Sequence, residues 1–152
     1  PQAIYDHMRK AKDINSLAGK IRFLEKPYLK LAPPQVSRLG DNKHNVVLEL
    51  QNYVVPDIPL DKEKDRLEVL RLAKDNFATL IDYLAVDWDY DGRTFRSSLQ
   101  HWRGNRPPLK KVNAVAQTIL DGGKQYEVMV RVVDIFGNDA SASVKLDLGG
   151  KP

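Results

Sequence analysis

The chain contains no cysteine, so it has no disulfide framework, no thiolate metal centre and no cysteine nucleophile. No apolar run approaches the roughly 18–20 residues that a membrane-spanning helix requires. Arg9, Lys10 and Lys12 are not followed by an apolar stretch, so no signal peptide is read there. Gly-x-Gly turns, Walker-type phosphate loops and nucleophile elbows are all missing. The three histidines, His7, His44 and His101, stand alone, without a His-x-x-x-His pair. A start at Pro1 rather than Met reads as a piece of a longer protein. These absences point to a cytoplasmic, non-membrane, non-catalytic chain. With 152 residues, 42% of them hydrophobic and 29% charged, it is long enough to bury the core of one domain.

The charge is uneven as well as positive. Against a net +4, residues 93–112 carry Arg93, Arg96, Arg103, Arg106, Lys110 and Lys111 without a single acid. The acids gather at 57–68 and 82–91. Phe95, His101 and Trp102 interleave with the cations. Arginine and lysine meet phosphates and rings stack on unpaired bases, so these six cations form the candidate nucleic-acid-binding set. The bland alternative is a solvated rim around core aromatics.

Periodicity supplies the architecture. Residues 1–26 mix helical spacing with polar breaks and read as an arm or connector preceding a domain at 27–152. "PYLKL" (27–31) reads as a short strand and "APPQ" as a break, because consecutive prolines remove two ladder donors. After a turn at "DNKHN" (41–45), "VVLELQNYVV" (46–55) predicts a strand with Val46, Leu48, Leu50 and Val54 on one face. Residues 61–76 predict a helix capped by Asp61, with Leu67, Leu70 and Ala73 at helical spacing. "IDYLAVDWDY" (81–90) alternates again, and Asp91-Gly92 signals a hairpin turn. "KVNAVAQTIL" (111–120) fits a strand or a poor helix. Asp121-Gly122-Gly123 turns the chain into a strand with Tyr126, Val128, Val130 and Val132 inward. "SASVKLDL" (141–148) follows with Ala142, Val144, Leu146 and Leu148 inward. Short alternating strands separated by turns predict an antiparallel β-sandwich with one inserted helix.

"VDWDYDG" (86–92) carries two readings. As D-x-D-x-D-G it begins like a calcium loop, but counting from Asp87 puts Ser98 where a bidentate glutamate is required, and the preceding residues follow strand periodicity. No metal site is therefore expected. Trp88 reads as core, Asp87 and Asp89 as exposed or hydrogen-bonded strand residues, and Asp91-Gly92 as a turn.

The same residues carry two resemblances. "WDYDG" (88–92) with "GGKQYEVMVRVVDIFGNDASASVKLDL" (122–148) resembles the polycystic kidney disease (PKD) type of immunoglobulin-like domain. That family carries a Trp-Asp-Phe-Gly-Asp-Gly signature; here Tyr90 replaces the Phe and the Gly before Asp91 is missing. A longer stretch, roughly 19–148, is similar to the C-terminal region of adenine-specific DNA methyltransferases related to the type III restriction–modification modification subunit. "LIDYLAVDWDYDGRTFRSSLQHWRGN" and "YEVMVRVVDIFGND" carry it, with Leu84 where a Trp is expected.

The second resemblance implies a C-terminal accessory domain that helps a DNA methyltransferase engage DNA or a partner subunit. A catalytic domain upstream would then bind S-adenosylmethionine. The chain itself lacks the chemistry: an amino-methyltransferase needs an Asp/Asn-Pro-Pro-aromatic loop for the flipped base. "APPQ" (32–35) and "RPPL" (106–109) have neither the polar residue nor the ring. No cofactor is expected in this piece. The first resemblance implies the rival, a PKD-like adhesion or carbohydrate-associated module of a secreted protein.

Overall fold

Alternation makes the strands, and two departures from it shape the sheets. The computed structural model describes residues 27–56, 58–102 and 114–149; the expected arm at 1–26 lies outside them. Strands β1 (Tyr28–Leu31), β2 (Gln35–Arg38) and β3 (Lys43–Val54) are followed by helix α1 (Glu63–Asp75), a 3-10 turn (Phe77–Leu80), and β4 (Ile81–Asp87). Then come β5 (Leu99–Trp102), β6 (Val115–Asp121), β7 (Gln125–Asp134) and β8 (Asp139–Asp147). All pairings among the described residues are antiparallel, in two four-stranded sheets. In the first, β3 pairs with β1, β2 and β6; the second runs β5-β4-β7-β8. The fold is the expected β-sandwich with one helix between strands.

β1 and β2 lie end to end along one side of β3, interrupted at Ala32-Pro33-Pro34. The prolines break the edge, as expected, but only for one turn: Gln35 resumes pairing opposite Val47. Asp41 and Asn42, both at φ +58°, make the tight return into β3, which starts at Lys43, two residues into the expected turn. Left-handed backbone suits Asp and Asn, whose short polar side chains tolerate it.

β3 departs from strict alternation once. Lys30 pairs with Asn52, yet Leu31 pairs with Leu50, so Gln51 is an extra residue. Such a bulge reverses the side-chain parity beyond it. Val46, Leu48 and Leu50 point inward as expected, but after the bulge Tyr53 and Val55 are buried while Val54 is 43% exposed. The expected inward Val54 is thus corrected.

The helix also turns a different face inward. Val69 is fully buried and Ala73 packs on the core, whereas Leu67 and Leu70 are 59% and 51% exposed. Asp61 does not cap it: Lys62 is the N-cap, without a side-chain bond, and its carbonyl accepts from Asp65 and Arg66. Asp61 stands one residue too early. Glu63 and Asp65 in the first turn and Lys74 in the last oppose the helix dipole favourably.

The core lies between the sheets. Val128, Val130 and Val132 of β7 and Val86 of β4 have no exposed surface, and Val46 and Leu48 meet them from the first sheet. Each such residue stabilises the fold by about 1.5–3 kcal/mol. Trp88 is buried with them, at 6% exposure. At β7–β8, Gly137 (φ +82°) makes the expected turn. Asp134 ends β7 on the inward parity and is 1% exposed. Its carboxylate accepts from the Phe136 and Asn138 amides (2.9 and 2.8 Å), from Asn138 Nδ2 (3.2 Å), and from the Tyr53 hydroxyl of the opposite sheet (2.8 Å).

Residues 111–120 resolve as strand β6 from Val115 onward, not helix. Asp121-Gly122-Gly123 is a crossover between sheets, since β6 pairs with β3 while β7 pairs with β4 and β8. There the Gly122 amide donates to Asn42 O (2.7 Å) and the Gly123 amide to Leu148 O (2.7 Å).

Candidate nucleic-acid interface

The aspartates of "VDWDYDG" organise the loop that follows them. β4 ends at Asp87 rather than at Tyr90, and β5 begins only at Leu99. Asp91-Gly92 is therefore a turn inside an eleven-residue connection (88–98), not the tip of a tight hairpin. Asp87 is buried, not exposed: at 5% exposure its two oxygens accept from the Asp89 amide (3.1 Å) and the Arg96 amide (2.7 Å). Asp91 Oδ1 accepts from the Arg93 and Thr94 amides, both at 2.8 Å. The Thr94 and Arg93 amides hold the Asp91 carboxyl below its ordinary range. Gly92 sits between Asp91 and Arg93 at φ +83°, a conformation glycine adopts without penalty.

These carboxylates are committed to backbone amides, which leaves the arginines of the loop pointing outward. The Arg96 guanidinium is 77% exposed, and Asp91 stands 3.9 Å away. Arg93 is exposed and has no side-chain partner among the described residues. Phe95 between them is half-buried. Of the six expected cations, the structure thus brings Arg93 and Arg96 together on one loop. Arg103, Arg106, Lys110 and Lys111 lie outside the described residues.

Asp89, the remaining aspartate, leaves the loop for the neighbouring strand pair. It accepts from Lys124 Nζ at 2.7 Å, and that ammonium lies 4.5 Å above the Tyr126 ring centroid. The Asp89 carboxylate raises the Lys124 pKa. Lys43 is bound in the same way to Asp121, whose carboxyl it holds down. Both lysines are engaged in ion pairs, so they add little free positive charge. Sequence spacing carries no sign of these pairs, which join residues 35 and 78 positions apart.

The catalytic and metal readings gain no geometry. Among the described residues no group of three His, Asp or Glu side chains is placed to hold a metal ion. His44 and His101 belong to different sheets, each with one buried ring nitrogen lacking a hydrogen-bond partner; His7 lies outside the described residues. Nor is any helix among the described residues long and apolar enough to cross a membrane.

No family model matches the chain, and no curated protein matches it. Among solved structures it is similar to a hypothetical protein from Pyrococcus horikoshii OT3, with 12% identity and a TM-score of 0.41 over 84% of this chain and 91% of that one.

Proposed function

We propose that the chain is a non-catalytic accessory domain of an adenine-specific DNA methyltransferase of the restriction–modification type, acting in the cytoplasm and touching DNA phosphates through its basic loop. The observation that carries this reading is the β4–β5 connection. Asp87 and Asp91 fix its backbone through amide hydrogen bonds, and Arg93 and Arg96 extend from it into solvent. Arginines on a braced loop engage phosphate oxygens with little ordering cost. Arg103, Arg106, Lys110 and Lys111 continue the same run of sequence and belong to the same proposed surface. The similarity of residues 80–105 and 126–139 to the methyltransferase C-terminal region supplies the parent protein. S-adenosylmethionine then belongs to the catalytic domain upstream, since the sequence here has no Gly-rich donor turn to hold it.

Duplex-DNA binding measured against salt concentration tests the reading. The expected affinity is non-specific, about 10⁻⁴–10⁻⁶ M at physiological salt. Replacing Arg93 and Arg96 together with alanine leaves the Asp87 and Asp91 bonds intact, because those are made to backbone amides. The double variant should bind all sequences more weakly, and its log–log salt slope should flatten by about 0.9 for each phosphate no longer neutralised. No binding at low salt, or binding unchanged by the double substitution, would refute it; a protein partner subunit would then be the better account.

A further inference from the structure

Helix α1 carries two apolar stripes. Val69 and Ala73 pack on the core, while Leu67 and Leu70 stand 59% and 51% exposed, one turn apart. At about 100° per residue the two leucines lie roughly 130° around the helix from Val69, so they face away from the core. Single exposed leucines are ordinary on a surface, but two that adjoin across a turn form a patch. Glu63 lies one turn before Leu67 and Lys74 one turn after Leu70, and both are exposed. Glu63, Leu67, Leu70 and Lys74 thus make one seam with four-three-four spacing, the spacing through which two helices pack side by side. Neither Glu63 nor Lys74 has a side-chain partner among the described residues.

The seam is its own complement when reversed. Set antiparallel about the point midway between Leu67 and Leu70, two copies of α1 put Leu67 of each against Leu70 of the other. Glu63 of each then meets Lys74 of the other, twice by symmetry. A parallel arrangement would instead oppose Glu63 to Glu63 and Lys74 to Lys74. From Glu63 to Asp75 the helix carries four acids and four bases, so two copies approach without net repulsion. Antiparallel helices also set opposite dipole ends side by side. Beside the seam, Lys64 comes near Arg71 of the second copy. That like-charge approach is tempered within each helix, because Arg71 already binds Glu68 at 2.6 Å and stands 3.7 Å from Asp75.

We infer that the outer face of α1 is a self-association surface, through which two copies of the chain pack antiparallel in a two-fold symmetric dimer. The interface is isologous, so each contact occurs twice. The leucines supply the attraction, and the Glu63–Lys74 pairs fix the direction and register. A helix of 13 residues is about 20 Å long. Two of them bury less than the roughly 1,200 Å² of a standard interface, so the dimer is weak and reversible, with a dissociation constant of about 10⁻⁵–10⁻⁴ M.

Sedimentation equilibrium on the whole chain tests this, with circular dichroism and thermal melting of dilute samples reporting on the fold. The unmodified chain should dimerise as its concentration rises. Leu67→Gln/Leu70→Gln should abolish the dimer and leave the melting of the dilute chain unchanged, because neither leucine packs on the core. Lys74→Glu opposes two acids at both symmetric contacts and should weaken the dimer about fivefold to tenfold. Glu63→Lys should weaken it similarly, and the exchange Glu63→Lys/Lys74→Glu should restore it. A chain that stays monomeric at millimolar concentration overturns the inference. So does a dimer indifferent to the leucine pair, or one that the charge exchange fails to restore. A monomer whose melting falls with the leucine substitutions also overturns it, since the leucines would then be covered within their own chain.

Discussion

Removing the charge from Asp134 gives a measurement with a definite sign. The carboxylate is 1% exposed and accepts four hydrogen bonds, from Tyr53 Oη, Phe136 N, Asn138 N and Asn138 Nδ2. Asp134→Ala strands the buried Phe136 amide, the half-buried Asn138 amide and a tyrosine hydroxyl. At about 1–3 kcal/mol per unsatisfied buried group, the loss should be about 3–5 kcal/mol once the Asn138 side chain turns to solvent. Tyr53→Phe removes only the donor from the opposite sheet and should cost about 1.5–3 kcal/mol, the worth of a hydrogen bond to a charged group. Burial raises the Asp134 pKa, outweighing the hydrogen bonds that favour its ionised form. A group whose pKa is raised on folding stabilises fully below its unfolded value, and that stabilisation fades as pH climbs through the folded one. Asp134→Asn keeps the shape and removes the titration. Urea unfolding at pH 4 and pH 7 should therefore show the wild type losing ground to this variant as pH rises. If the wild type gained on the variant over that interval, the folded carboxyl would lie below its unfolded pKa, and the reasoning from burial would be wrong.

Trp88→Ala should cost about 3–5 kcal/mol, as expected for a large core aromatic, and thermal melting would show it directly; a variant that melts like the wild type would contradict the burial of Trp88. A Cβ at Gly122 would stand 2.4 Å from Asn42 Oδ1 and 2.8 Å from His44 Cε1, so Gly122→Ala should destabilise by about 1–3 kcal/mol in chemical unfolding. Millimolar calcium should leave the melting temperature unchanged, because Asp87 and Asp91 already serve backbone amides. A rise of several degrees, abolished by Asp89→Asn, would show that the loop takes up the ion.

How far the sequence reveals this molecule depends on whether each signal is local. The inward valines of β7 alternate without interruption, and the same parity carries Asp134 inside, although nothing local names its partner. Tyr53 reaches the core only because Gln51 is an extra residue in β3, and a bulge is set by pairing with β1, not by β3 itself. The same extra residue turns Val54 outward against its alternation. In α1, Leu67 and Leu70 have the right spacing for a buried stripe, yet Val69 and Ala73 pack on the core, and spacing alone does not say which stripe faces it. The basic loop is visible in sequence as a run of cations. Its bracing is not, because whether an aspartate side chain bonds an amide nine residues on, as Asp87 does to Arg96, depends on where the strands end.

β3 also imposes an order of events on synthesis. One of its flanks is satisfied early, by β1 and β2, which precede it in the chain. The other waits for β6, and the Lys43–Asp121 pairing spans 78 residues. Translation from Val54 to Asp121 takes roughly 3–13 s at about 5–20 residues per second. Throughout that interval the β3 flank that will receive β6 is unpaired beside the ribosome, presenting Val46 and Leu48 without Thr118 and Ala116 opposite them. β4 and β5, made in the meantime, can pair with each other but cannot cover it, because they belong to the other sheet. A nascent chain of this topology is most exposed to strand-capturing chaperones, and to its own sister chains on a polysome, in the seconds before β6 emerges.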